Sequence, residues 1–277
     1  MIAVCEWIFG SRALEETLAH VAAAGAMGIE VTGEPARDAD ALAASLAAAG
    51  LAATGTTAAS RWPTDERDVA HSDAGARRRA VEYYRGCVDL AAAVGAPVVG
   101  LIPGAVGRVA PLTTQEREWD HAVEGVREVA LYAGERGVTV AVEAINRYET
   151  HLVNRVEQAL EFAEATGVEG VGVIADVFHM QLEEEDPAAA AARAGTSLRA
   201  LHVAGSTRRG LAHGTLDPVP TIAAARRAGF AGPLVLECTA PGPDPFTADK
   251  GAAALERLDA DVAESIRTLR RLEDGDD

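Results

Sequence analysis

Short apolar runs alternate with longer amphipathic stretches along the chain. The short runs are Ile2–Val4, Gly28–Val31, Leu51–Gly55, Pro97–Ile102, Val138–Glu143, Val171–Asp176, Leu198–Ala204 and Pro233–Cys238. They are rich in Val, Ile and Ala and show little period-two alternation, the pattern of strands buried on both faces. Helical patterning fills the gaps, over Ser11–Ala24, Ala39–Ala49, Ala74–Val94, Thr114–Arg136, Arg155–Thr166, Pro187–Ala194, Pro220–Ala228 and Gly251–Leu272. Seven of these end at a glycine (Gly25, Gly50, Gly95, Gly137, Gly167, Gly195 and Gly229), where a left-handed cap is wanted. Eight strands alternating with eight helices predict an α/β protein, a closed (β/α)8 TIM barrel forming a single domain over residues 1–277. A doubly wound open sheet is the competitor. It advertises itself with a Gly-rich first turn, and Ile8-Phe9-Gly10-Ser11 is not GxGxxG.

The length of 277 residues suits such a barrel, and 48% apolar residues supply a full core. With only 5 Phe, 3 Trp and 4 Tyr, that core must be filled by Ala, Val and Leu. Lys and Arg number 25 against 42 Asp and Glu, a formal charge of −17 that repels nucleic acid and anionic membranes. Lys250 is the only lysine and stands outside any Gly-rich phosphate loop, which excludes Schiff-base and P-loop chemistry. No apolar stretch is long and uninterrupted enough to span a membrane. Cys5, Cys87 and Cys238 form no CxxC, and no leader-like segment precedes the first run. Three reduced thiols in a cytoplasmic protein are expected. The acidic end, Glu273–Asp277, is expected to be a frayed, solvated tail.

Barrels of this kind place reactive groups at the C-terminal ends of their strands. The fifth run ends in Glu143, the sixth in Asp176, the seventh carries His202, and the eighth reaches Glu237. A carboxylate at the end of an apolar strand is costly to bury unpaired, and three converging on one rim repel each other. A divalent cation resolves both problems. Three oxygens and one imidazole suit Mn²⁺, Mg²⁺ or Co²⁺ better than thiolate-bound Zn²⁺. Asn146, Arg147 and Glu149 follow Glu143, His179 follows Asp176, and Arg208 and Arg209 follow His202, all on loops expected to face the same pocket. Trp7 and Phe9 stand just past the first run, where each either walls the pocket or joins the core. Trp7 is assigned to the pocket.

Glu143-Ala-Ile-Asn-Arg-Tyr-Glu149-Thr, Asp176-Val-Phe-His179-Met, and His202 with Arg208 resemble the D-tagatose/D-psicose (allulose) 3-epimerase group of the xylose-isomerase-like sugar isomerase/epimerase superfamily. The resemblance extends to Asp73–Gly95, Val106-Gly107-Arg108 and Thr113–Trp119, and covers roughly Asp73 to Glu237. It implies that Glu143, Asp176, His202 and Glu237 are metal ligands, with Mn²⁺ first in line. Glu143 and Glu237 would also be the acid/base pair that moves the C3 proton of a free ketose through a cis-enediolate. Glu149, His179 and Arg208 would bind substrate hydroxyls. A dimer or tetramer is implied too.

Four regions depart from that group's pattern: Cys5–Phe9, the loop Ser60–Asp65, His151, which stands where an aromatic residue is expected, and Val203–Thr207, which lacks the acidic residue expected before the arginine. They leave the substrate open. The same parts would serve a sugar isomerase or a β-elimination enzyme acting on inososes or 3-oxo-C-glycosides. A non-enzymatic sugar-binding barrel would have lost a ligand or a base, and none is missing.

Overall fold

The computed structural model describes residues 1–57, 61–63, 66–242 and 244–274. Eight parallel strands close into a barrel in chain order. They are β1 (Ile2–Cys5), β2 (Gly28–Thr32), β3 (Ala52–Thr57), β4 (Val98–Leu101), β5 (Thr139–Glu143), β6 (Gly172–Asp176), β7 (Leu198–Val203) and β8 (Leu234–Leu236). Around them, among the described residues, lie α1 (Leu14–Ala24), α2 (Ala39–Ala49), α3 (Ala74–Val94), α4 (Gln115–Gly134), α5 (Val156–Ala165), α6 (Val177–Glu183), α7 (Pro187–Ala194), α8 (Val219–Arg227) and α9 (Ala252–Asp274).

The strands form because their side chains are apolar on both faces. Every residue of β1 and of β6 is buried. Small residues fill the interior, and the largest fully buried side chains include Tyr84, Phe9 and Phe162. Helices start where a polar side chain can accept from an otherwise unpaired amide: Asp38 from Ala41, Asp73 from Ala76, Thr114 from Arg117 and Asp186 from Ala189. All seven glycines expected to stop helices adopt positive φ.

Three differences from the sequence expectation bear on the site. The first helix begins at Leu14 rather than Ser11, because Glu6–Phe9 forms a turn of 3-10 helix ended by Gly10. Gly10 has φ 64°, and a Cβ there would meet the Ala248 carbonyl oxygen at 2.0 Å, so only glycine fits. Second, α6 was not expected. Its seven residues are too short for a 3.6-residue period to register. Third, β8 stops at Leu236, so Glu237 lies one residue past it. The Glu237 amide still donates to the Val203 carbonyl at 3.0 Å, which fixes its position beside β7. The loop Ser60–Asp65 falls partly outside the described residues, and the tail beyond residue 274 does so entirely.

Candidate active site

Strand pairing brings the polar residues together. The register sets Asp176 of β6 directly beside His202 of β7, and Cys5 of β1 beside Glu30 of β2. Glu143 ends β5 on one flank, and Glu237 follows β8 on the other. Side-chain atoms of Glu143, Asp176, His202 and Glu237 all lie within 4.8 Å of one another, and all four residues are buried. His202 Nδ1 lies 2.9 Å from Glu237 Oε2 and 3.4 Å from Glu143 Oε1.

Substrate-sized space opens above this cluster. A cavity of about 240 Å³ has Glu143, Glu149, His179, Arg208 and Glu237 in its walls, with Trp7 and Phe246 among its apolar lining. Trp7 Nε1 donates to Glu237 Oε1 at 2.7 Å, and its ring stacks on Phe246 with centroids 5.8 Å apart. Arg208 reaches Asp176 Oδ2 and Glu237 Oε2, each at 3.1 Å, and lies over the Phe178 ring. It is held in the left-handed region at φ 57°, alone in this among the described non-glycine residues. Its amide donates to the Gly205 carbonyl at 2.8 Å, and its own carbonyl accepts from the Thr239 amide at 2.6 Å. Asn146 Nδ2 donates to Glu149 Oε1 at 2.8 Å and touches His179 Nδ1 at 2.7 Å. A larger groove of about 770 Å³ runs between α3 and α4, but it lies away from these groups.

The electrostatics separate the two glutamates. Burial raises the pKa of Glu143, and the neighbouring Glu237 and Asp176 charges add to that rise despite His202. Burial acts on Glu237 too, but Arg208 and His202 outweigh it and hold this carboxylate well below the usual range. His179 is pushed down to about 3, first by burial and then by Arg208, so it is a neutral imidazole.

Two residues expected at the pocket point elsewhere. Arg147 pairs with Glu183 of α6 at 2.6 Å, because its stem runs outward from the loop after β5. Arg209 pairs with Asp261 of α9 at 2.8 Å. His213 joins the same carboxylate at 3.0 Å, so it shapes the loop. Phe9 is core, whereas Trp7 lines the cavity. Cys5 and Cys238 are free and buried.

The sequence reading passed over Glu30, Thr57, Arg61 and Phe246. Glu30 sits buried on β2 against His202 Nε2, at 3.2 Å. Its signal was the same as for the other strands, one carboxylate in an apolar run. Phe246 stands in a Pro- and Gly-rich loop with no periodicity to mark it.

The donor set suits a divalent cation. Asp176 Oδ1 accepts from the Phe178 amide at 2.8 Å, while Oδ2, wholly buried, makes no well-aligned hydrogen bond. Arg208 lies 3.1 Å from that oxygen, but one guanidinium and one imidazole face three buried carboxylates here, a cluster that a further positive charge would relieve. Glu143, Asp176, Glu237 and His202 would hold the ion, three oxygens and one nitrogen.

Over residues 18–267 the chain matches the model of a family described as Xylose isomerase-like TIM barrel. It is 28% identical over 220 residues to the D-psicose 3-epimerase of Ruminiclostridium cellulolyticum, covering 78% of this chain and 69% of that one. It is 31% identical over 171 residues to the L-ribulose 3-epimerase of Mesorhizobium japonicum, covering 61% of this chain and 57% of that one. A solved structure of D-psicose 3-epimerase with D-tagatose from Clostridium cellulolyticum H10 superposes with a TM-score of 0.84 over 98% of each chain. At 22% identity this likeness speaks for the fold.

Proposed function

The chain belongs to the xylose isomerase-like TIM barrel family, and we propose that it is a divalent-metal-dependent ketose 3-epimerase acting on a free ketose. The observation that carries this reading is the convergence of Glu143, Asp176, His202 and Glu237 on the floor of a cavity whose walls bring Glu149, His179 and Arg208. Relatives named for 3-epimerisation of D-psicose and L-ribulose support it.

A divalent ion at the cluster would act as a Lewis acid, acidifying the C3 proton and stabilising the enediolate charge. Mn²⁺ is preferred, with Mg²⁺ or Co²⁺ as alternatives, because the donors are hard to borderline. Glu143 and Glu237 carry the proton steps. One takes the C3 proton and leaves its electron pair to the C2 carbonyl. The other returns a proton to C3 from the opposite face, which inverts that centre. Arg208, His179 and Glu149 hold the hydroxyls near the reacting carbons. Trp7 fixes Glu237 through its indole N–H and walls the sugar from solvent.

The test is chelation with EDTA, then Mn²⁺ re-addition, with D-fructose, D-tagatose, D-ribulose and L-ribulose in D₂O. Chelation is expected to lower turnover about a hundredfold or more, and Mn²⁺ to restore it. The product is expected to be the C3 epimer with deuterium at C3. Deuterium at C1 with an aldose product would make the protein an isomerase. Ion binding without exchange on any ketose would remove the epimerase reading and direct attention to inososes and 3-oxo-glycosides.

A further inference from the structure

Glu30 is a buried carboxylate that the proton transfer above does not use. It stands on β2, 3% exposed, and meets His202 at the ring nitrogen opposite the one that faces Glu143 and Glu237. Its two oxygens lie 3.2 and 3.3 Å from His202 Nε2. The other ring nitrogen, Nδ1, faces Glu237 at 2.9 Å and Glu143 at 3.4 Å. A neutral imidazole donates through one nitrogen and accepts through the other, and a carboxylate such as Glu30 only accepts. Carboxylates face both nitrogens, so an ion bound beside Glu143 and Glu237 would take the Nδ1 lone pair and leave the ring proton on Nε2, toward Glu30.

Glu30 is itself held in place. Cys5 Sγ donates to Oε1 at 3.1 Å, and the Thr57 hydroxyl donates to the same oxygen. The register pairs Glu30 with Gly55 of β3, where an added Cβ would crowd Oε2 at 3.3 Å. Nothing in this arrangement lets Glu30 swing toward the substrate.

We propose that Glu30 is a positioning residue that fixes His202 as its Nε2–H tautomer, so that Nδ1 is presented as a ligand to an ion shared with Glu143, Asp176 and Glu237. The inference rests on the metal-dependent reading given above. Partners of this kind set ring orientation and raise ligand basicity, and losing one typically weakens metal binding about 10- to 100-fold. Cys5, Glu30 and His202 also lie close enough to hold a second ion. The thiol proton donated to Glu30 argues for a hydrogen-bonded brace instead.

Titration calorimetry with Mn²⁺ on the EDTA-stripped protein, paired with ¹H–¹⁵N histidine spectra of the Mg²⁺-loaded protein, tests the proposal. Wild type is expected to bind one ion per chain and to show His202 protonated at Nε2. Glu30→Ala should bind Mn²⁺ about 10- to 100-fold more weakly and lose that tautomer signature. Glu30→Gln keeps an acceptor oxygen and should stay within about tenfold of wild type with the signature intact. Equal Mn²⁺ affinity in Glu30→Ala, protonation at Nδ1 in loaded wild type, or two ions per chain would each overturn the proposal. Wild type that binds no ion would overturn the metal reading itself, a separable outcome. The wild-type spectrum needs no variant, so it decides the matter even if Glu30→Ala does not fold.

Discussion

Glu143→Gln is expected to lower kcat for C3 epimerisation about 10²- to 10⁴-fold at saturating Mn²⁺, the range that a positioned acid/base supplies. The amide keeps the size of the side chain and one oxygen for the ion, but it can neither take nor give the C3 proton. Glu237→Gln should fall by a similar factor. The two variants should differ in what they retain. If each glutamate serves one face of the sugar, each variant still deprotonates one epimer through its remaining carboxylate. Both should then incorporate solvent deuterium without epimerising, and each into the opposite epimer. Initial rates by chromatography and deuterium content by NMR provide both readings. Turnover within tenfold of wild type in Glu143→Gln would take Glu143 out of proton transfer.

Arg108→Ala is expected to cost about 3–5 kcal/mol of stability, because it leaves two buried carboxylates without their cation. Arg108 donates to Asp68 through Nε at 3.0 Å, with Nη2 in ion-pair range of the same carboxylate at 2.8 Å, and Nη1 donates to Glu118. His151 closes the knot, 2.9 Å from Glu118 and 3.1 Å from the Arg108 carbonyl. The knot ties together the loops after β3, β4 and β5 and the start of α4. Next to it, the Gly107 amide donates to the carbonyl of Glu149 at 2.6 Å, so the Glu149 side of the cavity wall hangs from it. For a domain of this size the loss corresponds to a Tm lower by about 10 °C, read by calorimetry or urea titration. The deficit should shrink at acid pH. Burial raises the pKa of Asp68 even against Arg108. A raised carboxyl binds its proton more tightly folded than unfolded, so it adds stability at low pH and loses it as pH rises through the folded pKa. Removing Arg108 raises that pKa further. An equal deficit at pH 5 and pH 8 would count against this account.

The barrel was legible in the sequence because strands buried on both faces read as apolar runs and helices announce their ends with glycine. The strand-end residues stood out for a related reason: a charge closing an apolar run has few bland explanations when four successive runs share it. What escaped notice depended on distance or on direction. Asp68, Arg108, Glu118 and His151 are scattered over three loops and the start of α4 and meet only after the barrel closes. Arg208 and Arg209 are adjacent and chemically identical, yet one enters the cavity and the other pins α9, because the turn between β7 and α8 sends them apart. Glu30 carried the same mark as Glu143, but it sits two residues short of the end of β2, where attention to strand termini passes over it. The short helix after Asp176 was hidden because the residue that caps it also ends β6.

Arg208 holds a left-handed backbone at φ 57° that disfavours any side chain by about 1–2 kcal/mol. The backbone alone would favour glycine or asparagine at 208, while the pairs to the buried Asp176 and Glu237 carboxylates hold arginine there. A laboratory selection for thermal tolerance, blind to turnover, that relieved this backbone would discard the guanidinium that joins Asp176 to Glu237. Hardening this protein for use as a catalyst thus calls for a screen that scores sugar conversion alongside survival, with position 208 withheld from the library.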